Sequence, residues 1–101
     1  MIIHQREFSY KDNYQEFFEV LVKAKAHMEK KYPETSVDLM YNLAGQRGSA
    51  IFQTRYASLA DYERIDAELD NDDEYSKLIR SIINSSGALP VDQFYRVIKS
   101  S

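Results

Sequence analysis

A chain of 101 residues, 44% hydrophobic and 29% charged, is the size of one domain (residues 1–101), and its lack of cysteine excludes disulfide and thiolate chemistry. Its net charge of −3, with acidic residues bunched at Asp70, Asp72, Asp73 and Glu74, lacks the basic face that nucleic-acid binding needs. It contains no apolar run of about 18 residues to cross a membrane, and its start, Met1 to Arg6, has no apolar signal core, so a cytoplasmic location is expected.

Residues 2–10 read as a strand, with Ile2, Ile3, Phe8 and Tyr10 as β-formers and polar residues between them. Asp12 with Gln15, or Asn13 with Glu16, offers a capping box for the helix that follows. From Tyr14 the apolar positions Phe17, Phe18, Leu21, Ala24, Met28 and Tyr32 step by three and four, one stripe on a helix that Pro33 ends. His27 lies in the Lys-rich second half of this helix and reads as a solvated or helix-end residue.

A hairpin comes next. Val37, Leu39, Tyr41 and Leu43 alternate with Asp38, Met40 and Asn42. Gly45-Gln46-Arg47-Gly48 turns the chain, and Ala50, Phe52, Thr54 and Tyr56 alternate again. A symmetric turn of two or four residues sets 41 opposite 52 and 39 opposite 54. It also sets Asp38 directly across from Arg55, on a face shared with Met40, Asn42, Ile51 and Gln53.

Ser58 is placed as an N-cap with Asp61 three residues on, and Leu59, Tyr62, Ile65 and Leu69 form the stripe behind it. Asp70-Asn71-Asp72-Asp73 interrupts that helix. Asp72 can cap a second segment carrying Tyr75, Leu78, Ile79, Ile82 and Ile83, which Gly87 ends. After Pro90, residues 91–99 read as the last strand.

The order β-α-β-β-α-β predicts an α+β, ferredoxin-like domain: an antiparallel sheet of strand order 4-1-3-2 with its helices on one face. The other face should then be polar, yet the first and last strands are apolar in part on both sides. A second copy packing sheet to sheet would cover it, so a homodimer with a partly polar cavity between the sheets is expected.

With these elements the chain resembles the dimeric α+β barrel superfamily, and within it the NIPSNAP family. Arg6-Glu7-Phe8 is similar to that family's Arg-x-Tyr, Ser58-Leu59-Ala60-Asp61 opens the second helix as in the family, and Asp73-Glu74-Tyr75 resembles its Asp-Pro-Glu-Trp. Phe8 stands in place of Tyr, Tyr75 in place of Trp, and the helix break has no Pro. The resemblance implies a homodimer with a central cavity and no particular reaction. Antibiotic-biosynthesis monooxygenases that use no cofactor, polyketide cyclases and chlorite-dismutase-like haem proteins share the fold without fixing the chemistry.

Six residues are candidates to line the cavity: His4, Arg6, Asp38, Gln53, Arg55 and Arg96. An acid–base role for His4 would need a carboxylate such as Asp38 or Glu7 beside it, and Arg55 could hold the carboxylate or enolate of a substrate or simply pair with Asp38. Tyr14, Tyr32, Tyr62 and Tyr75 fall on helix stripes and read as core. Neither histidine has the setting of a haem ligand, so no cofactor and no metal is expected. An echo of an RNA-binding motif at residues 47–54 fails because Ser49, Ile51 and Thr54 stand where stacking rings are needed. Two readings remain: binding or transformation of a small hydrophobic or aromatic acid-like compound (by a cofactor-independent oxygenase, isomerase or cyclase), or an interaction dimer without chemistry.

Overall fold

The computed structural model describes residues 1–10, 14–41, 48–86 and 88–98. The capping box at residues 12 and 13, most of the turn, Asn42, Leu43, the helix end at Gly87 and Lys99 lie outside the described residues. Seven elements follow in order: β1 (Ile2–Ser9), α1 (Tyr14–Lys31), β2 (Ser36–Tyr41), β3 (Ser49–Tyr56), α2 (Leu59–Leu69), α3 (Asp73–Ser86) and β4 (Val91–Arg96). The sheet runs β2-β3-β1-β4 with every neighbouring pair antiparallel. This is the expected ferredoxin-like sheet, with the second helix in two pieces.

The core lies between the sheet and the helices. Phe17, Leu21, Ala24 and Met28 form the buried face of α1 and meet Ile2, Phe8, Val37, Ala50 and Phe52 from the strands, with Ile65 and Ile82 from α2 and α3. Tyr14 departs from the expected stripe: it is exposed at the first position of α1, beyond the end of the core. The strand predicted over 91–99 ends at Arg96, although Val97 still donates a backbone hydrogen bond to Met1 (3.0 Å).

The helix break is a tight turn that keeps its hydrogen bonds. Asp70, Asn71 and Asp72 donate backbone N–H groups to Asp66, Glu68 and Leu69, so α2 closes without orphaned carbonyls at those positions. Asp72 then caps α3, its Oδ1 accepting from the Tyr75 amide at 3.0 Å, as Ser58 caps α2 by accepting from the Asp61 amide at 3.1 Å. His27 is neither solvated nor at the helix end: half-buried on α1, it donates from Nε2 to Asp72 Oδ2 at 2.7 Å. Lys31 reaches the same oxygen at 2.9 Å. The start of α3 is thereby fastened to α1.

The hairpin register differs from the expectation by two residues. Tyr41 pairs with Ala50, Leu39 with Phe52 and Asp38 with Gln53, so each partner lies two residues from where the symmetric turn would set it, on strands that run Ser36–Tyr41 and Ser49–Tyr56. Gly48 ends that connection at φ +92°, a backbone state other residues rarely adopt. A shift of two keeps every side chain on its predicted face, whereas a shift of one would have inverted the strand. Asp38 and Arg55 are therefore diagonal neighbours, and they still form an ion pair at 2.8 Å.

On the sheet face without helices, three rows of described residues cross all four strands. Across the middle run Asp38, Gln53, Gln5 and Gln93, the glutamine amides linked at 3.4 Å from Gln53 to Gln5 and from Gln5 to Gln93. Ser36, Arg55, Ile3 and Tyr95 lie on one side of this row, and Met40, Ile51, Glu7 and Val91 on the other.

Candidate functional site

Strand alternation splits the six sequence candidates. Asp38, Gln53 and Arg55 lie on the open face, while His4, Arg6 and Arg96 lie on the helix-covered side. No single cavity between two sheets can take all six. Arg96, opposite Ile2, is exposed at the sheet edge.

His4 and Arg6 instead line a cavity of about 320 Å³ between the sheet and the α2–α3 pair. Its floor is His4, Arg6 and Phe8 from β1 with Phe52, Thr54 and Tyr56 from β3. Its walls are Asp66 and Leu69 from α2, and Tyr75, Ser76, Ile79, Arg80 and Ile83 from α3. The volume is at the small end of ligand pockets, and the lining is mixed: apolar and aromatic side chains share it with His4, Arg6, Thr54, Asp66, Asp70, Ser76 and Arg80.

The polar groups are organised by Asp92, on β4 directly opposite Arg6. Arg6 donates from Nε to Asp92 Oδ1 at 2.6 Å and from Nη2 to Oδ2 at 3.2 Å, a two-pronged clamp. His4 Nε2 bonds the same Oδ1 at 2.8 Å. Burial by itself would raise the Asp92 pKa, but the bonds from Arg6 and His4 outweigh it and hold the carboxyl below its ordinary 3.8. An ionised carboxylate can only accept, so His4 Nε2 carries the hydrogen and Nδ1 keeps its lone pair.

Burial is the main force on His4 and pushes its pKa below 6.5. The Asp92 bond works in the opposite direction without overcoming it, and the Arg6 charge adds to the lowering. At neutral pH the ring is therefore uncharged and basic at Nδ1. Rings fix its orientation: Phe94, its cross-strand partner, stacks on it at 4.5 Å with planes 6° apart, and Tyr62 meets it edge-on at 5.7 Å. Burial pushes the Tyr75 phenol up to about 12 and raises Tyr56 beyond the usual range, so both stay protonated and able to donate hydrogen bonds. Among the described residues no cluster of three His, Cys, Asp or Glu side chains could hold a metal ion.

Sequence reasoning missed Asp92; Tyr62 and Tyr75 pack against the core as read, and in addition Tyr75 walls the cavity and Tyr62 meets His4 edge-on. The signal for Asp92 was the one applied to Asp38 and Arg55: opposite charges meeting across two strands. Using it requires the β1–β4 register, which pairs Arg6 with Asp92 and His4 with Phe94.

No protein-family model matches this sequence, and no curated protein matches it. Solved structures do share its fold. A NIPSNAP domain protein from Burkholderia xenovorans superposes with a TM-score of 0.78 at 13% identity, covering 96% of this chain and 94% of that one. SnoaB, a cofactor-independent oxygenase from Streptomyces nogalater, gives 0.77 at 11% identity, covering 98% and 94%. A NIPSNAP family protein from Agrobacterium tumefaciens gives 0.71 at 15%, covering 94% and 90%. The fold is thus that of NIPSNAP domain proteins and monooxygenase-like ferredoxin folds, as the resemblance in the sequence implied. At such identities the likeness is one of architecture.

Proposed function

We propose that this domain acts as a homodimer in which each copy takes a small aromatic, acid-like compound into the cavity between sheet and helices and moves a proton on it. His4 is the base and Arg6 the charge that holds the resulting anion. The observation that carries this reading is that His4 and Arg6, both bonded to Asp92, share the floor of the cavity with the rings of Phe8, Phe52 and Tyr56. The oxygenase, isomerase and cyclase classes share a first step that this cluster fits. An acidic C–H or O–H gives its proton to His4 Nδ1, the bonding pair stays on the substrate as a conjugated anion, and the imidazolium rests against ionised Asp92. Attack on dioxygen, return of the proton to another carbon, or ring closure would then distinguish the classes. The architecture shared with SnoaB, a cofactor-independent oxygenase, supports the reading by analogy of fold.

The homodimer is supported by the open face. A glutamine side chain both donates and accepts, so a row of glutamines is complementary to its own copy in a two-fold interface, and Ile3, Met40, Ile51, Val91 and Tyr95 supply apolar surface around it. The same face favours the second reading, a dimer without chemistry, in which Asp38 and Arg55 only fix strand register.

Calorimetric titration with phenylpyruvate, an aromatic acid with an acidic methylene, separates the two. Saturable binding of one molecule per chain is expected. Arg6→Gln should weaken it by roughly 10- to 100-fold, the worth of a hydrogen bond to a charged group at about 1.5–3 kcal/mol. A dimer that binds no phenylpyruvate, or binds it equally well without Arg6, leaves the second reading.

A further inference from the structure

We infer that assembly and the cavity are coupled through β4: packing a second copy on its open face holds Asp92 and Phe94 against Arg6 and His4, so that the site is complete in the dimer and loosened in the single chain. This rests on the reading of the open face as a homodimer interface and of the Arg6–Asp92–His4 cluster as the working site.

Two independent observations meet in this strand. The first is its exposure. All six residues of β4 are exposed in the single chain, with Val91 at 57%, Phe94 at 50% and Tyr95 at 47%. It is an edge strand held by one ladder to β1, and the Tyr62 ring against Phe94 is its aromatic contact from the helical layer. An edge strand exposed along its whole length sits at the low end of local stability and frays first. The second is what β4 carries. Its even residues, Asp92 and Phe94, are the clamp of Arg6 and the stacking plane of His4. Its odd residues, Val91, Gln93 and Tyr95, lie on the open face in the same rows as Glu7, Gln5 and Ile3.

The occupant of that face is a second copy of this chain. Its middle row is self-complementary through the glutamine amides, and it carries both signs of charge, Arg55 with Asp38 and Glu7, in place of the single-sign field an oppositely charged partner would need. Burying Val91 and Tyr95 against the partner pins the backbone of β4, and with it the two residues that face the other way.

The test uses two substitutions on the open face, away from the cavity: Tyr95→Glu on β4 and Gln53→Glu on the central strand β3. Both put an unpaired charge where identical faces meet. Sedimentation is expected to show single chains for both variants and a dimer for the wild type. In both monomers the His4 ring protons should lose the upfield shift caused by stacking on Phe94, and exchange of the β4 amides should accelerate at least tenfold. Phenylpyruvate affinity should fall at least tenfold.

If Tyr95→Glu fails to fold, Gln53→Glu and dilution of the wild type through its dissociation give the same readouts. Single chains that keep the stacked His4 signals and the slow β4 amides overturn the coupling while leaving the dimer intact. A wild type that stays monomeric with those signals in place overturns coupling and dimer together. The His4 signals report on β4 without any ligand, so a failure of phenylpyruvate to bind counts against the proposed chemistry and not against the coupling.

Discussion

Replacing His4 by glutamine is expected to slow exchange of the phenylpyruvate methylene protons with deuterated solvent by about 10²–10⁴-fold, the usual share of a positioned general base. Glutamine can still offer a hydrogen bond to Asp92 but has no basic nitrogen, so binding through Arg6 should survive while proton removal does not. Exchange is read by the decay of the methylene signal in proton spectra, with circular dichroism to confirm the fold. The wild-type pH profile follows from the direction of the His4 shift. Burial holds its pKa below 6.5, so the free base should persist below that pH and the rate should fall only as pH drops through the lowered midpoint. The same sign applies to stability: the unfolded chain takes up His4's proton first, so acidification below 6.5 favours unfolding through this group. A histidine variant with the exchange rate of the wild type would remove His4 from the chemistry.

Asp72→Ala is expected to cost the largest part of the fold's stability of any surface-proximal change, about 2–3 kcal/mol, and to lower the melting temperature by roughly 10–20 °C for a domain of this size. The Asp72 side chain is only 7% exposed and serves three donors: the Tyr75 amide of α3, and His27 and Lys31 of α1. The amide bond is the largest cause holding its carboxyl far below the usual 3.8, followed by His27 and Lys31. Loss of the cap alone costs about 1 kcal/mol, and loss of the bonds to His27 and Lys31 on α1 accounts for the rest. Because its pKa is depressed, the carboxylate stabilises the fold above about pH 4 and loses that effect as pH falls through the folded value. The wild type should therefore lose its advantage over Asp72→Ala on acidification, which thermal melts between pH 7 and pH 3 would reveal. An unchanged melting temperature at neutral pH would mean that α3 is held by its apolar stripe alone. Tyr75 and Ser76 sit in the first turn of α3 and line the cavity, so the substitution should also weaken phenylpyruvate binding.

The fold was legible because local signals agreed with one another. Ser58 and Asp72 are caps in fact as in sequence, and the alternation of β2 and β3 puts Val37, Phe52 and Tyr56 on one face as read, the face that the structure buries under the helices. The register error of two residues did no harm to those faces, since side-chain direction in a strand has period two. The site was less legible for a physical reason. β1 presents Ile2, His4, Arg6 and Phe8 on the core side, so the two polar residues that build the cavity break the apolar pattern that would have identified that side. With the side of β1 undecided, the sequence points to a cavity between two sheets and to Asp38 or Glu7 as the partner of His4. The partner is Asp92, 88 residues away along the chain and adjacent only through the pairing of β4 with β1. Tyr75 repeats at helical spacing like any core residue, and nothing in periodicity distinguishes a ring that fills space from one that borders a void.

In the proposed function the ligand sits on the helix side of the sheet, against His4 and Arg6. Chemical-shift mapping of the isotope-labelled protein with phenylpyruvate tests it most directly. Expected are saturable shifts at His4, Thr54, Tyr75 and Ile79, with Gln5, Gln53 and Met40 on the opposite face unmoved. Shifts centred on Gln5, Gln53 and Arg55 instead, with His4 silent, would contradict it and return the cavity to the space between two sheets.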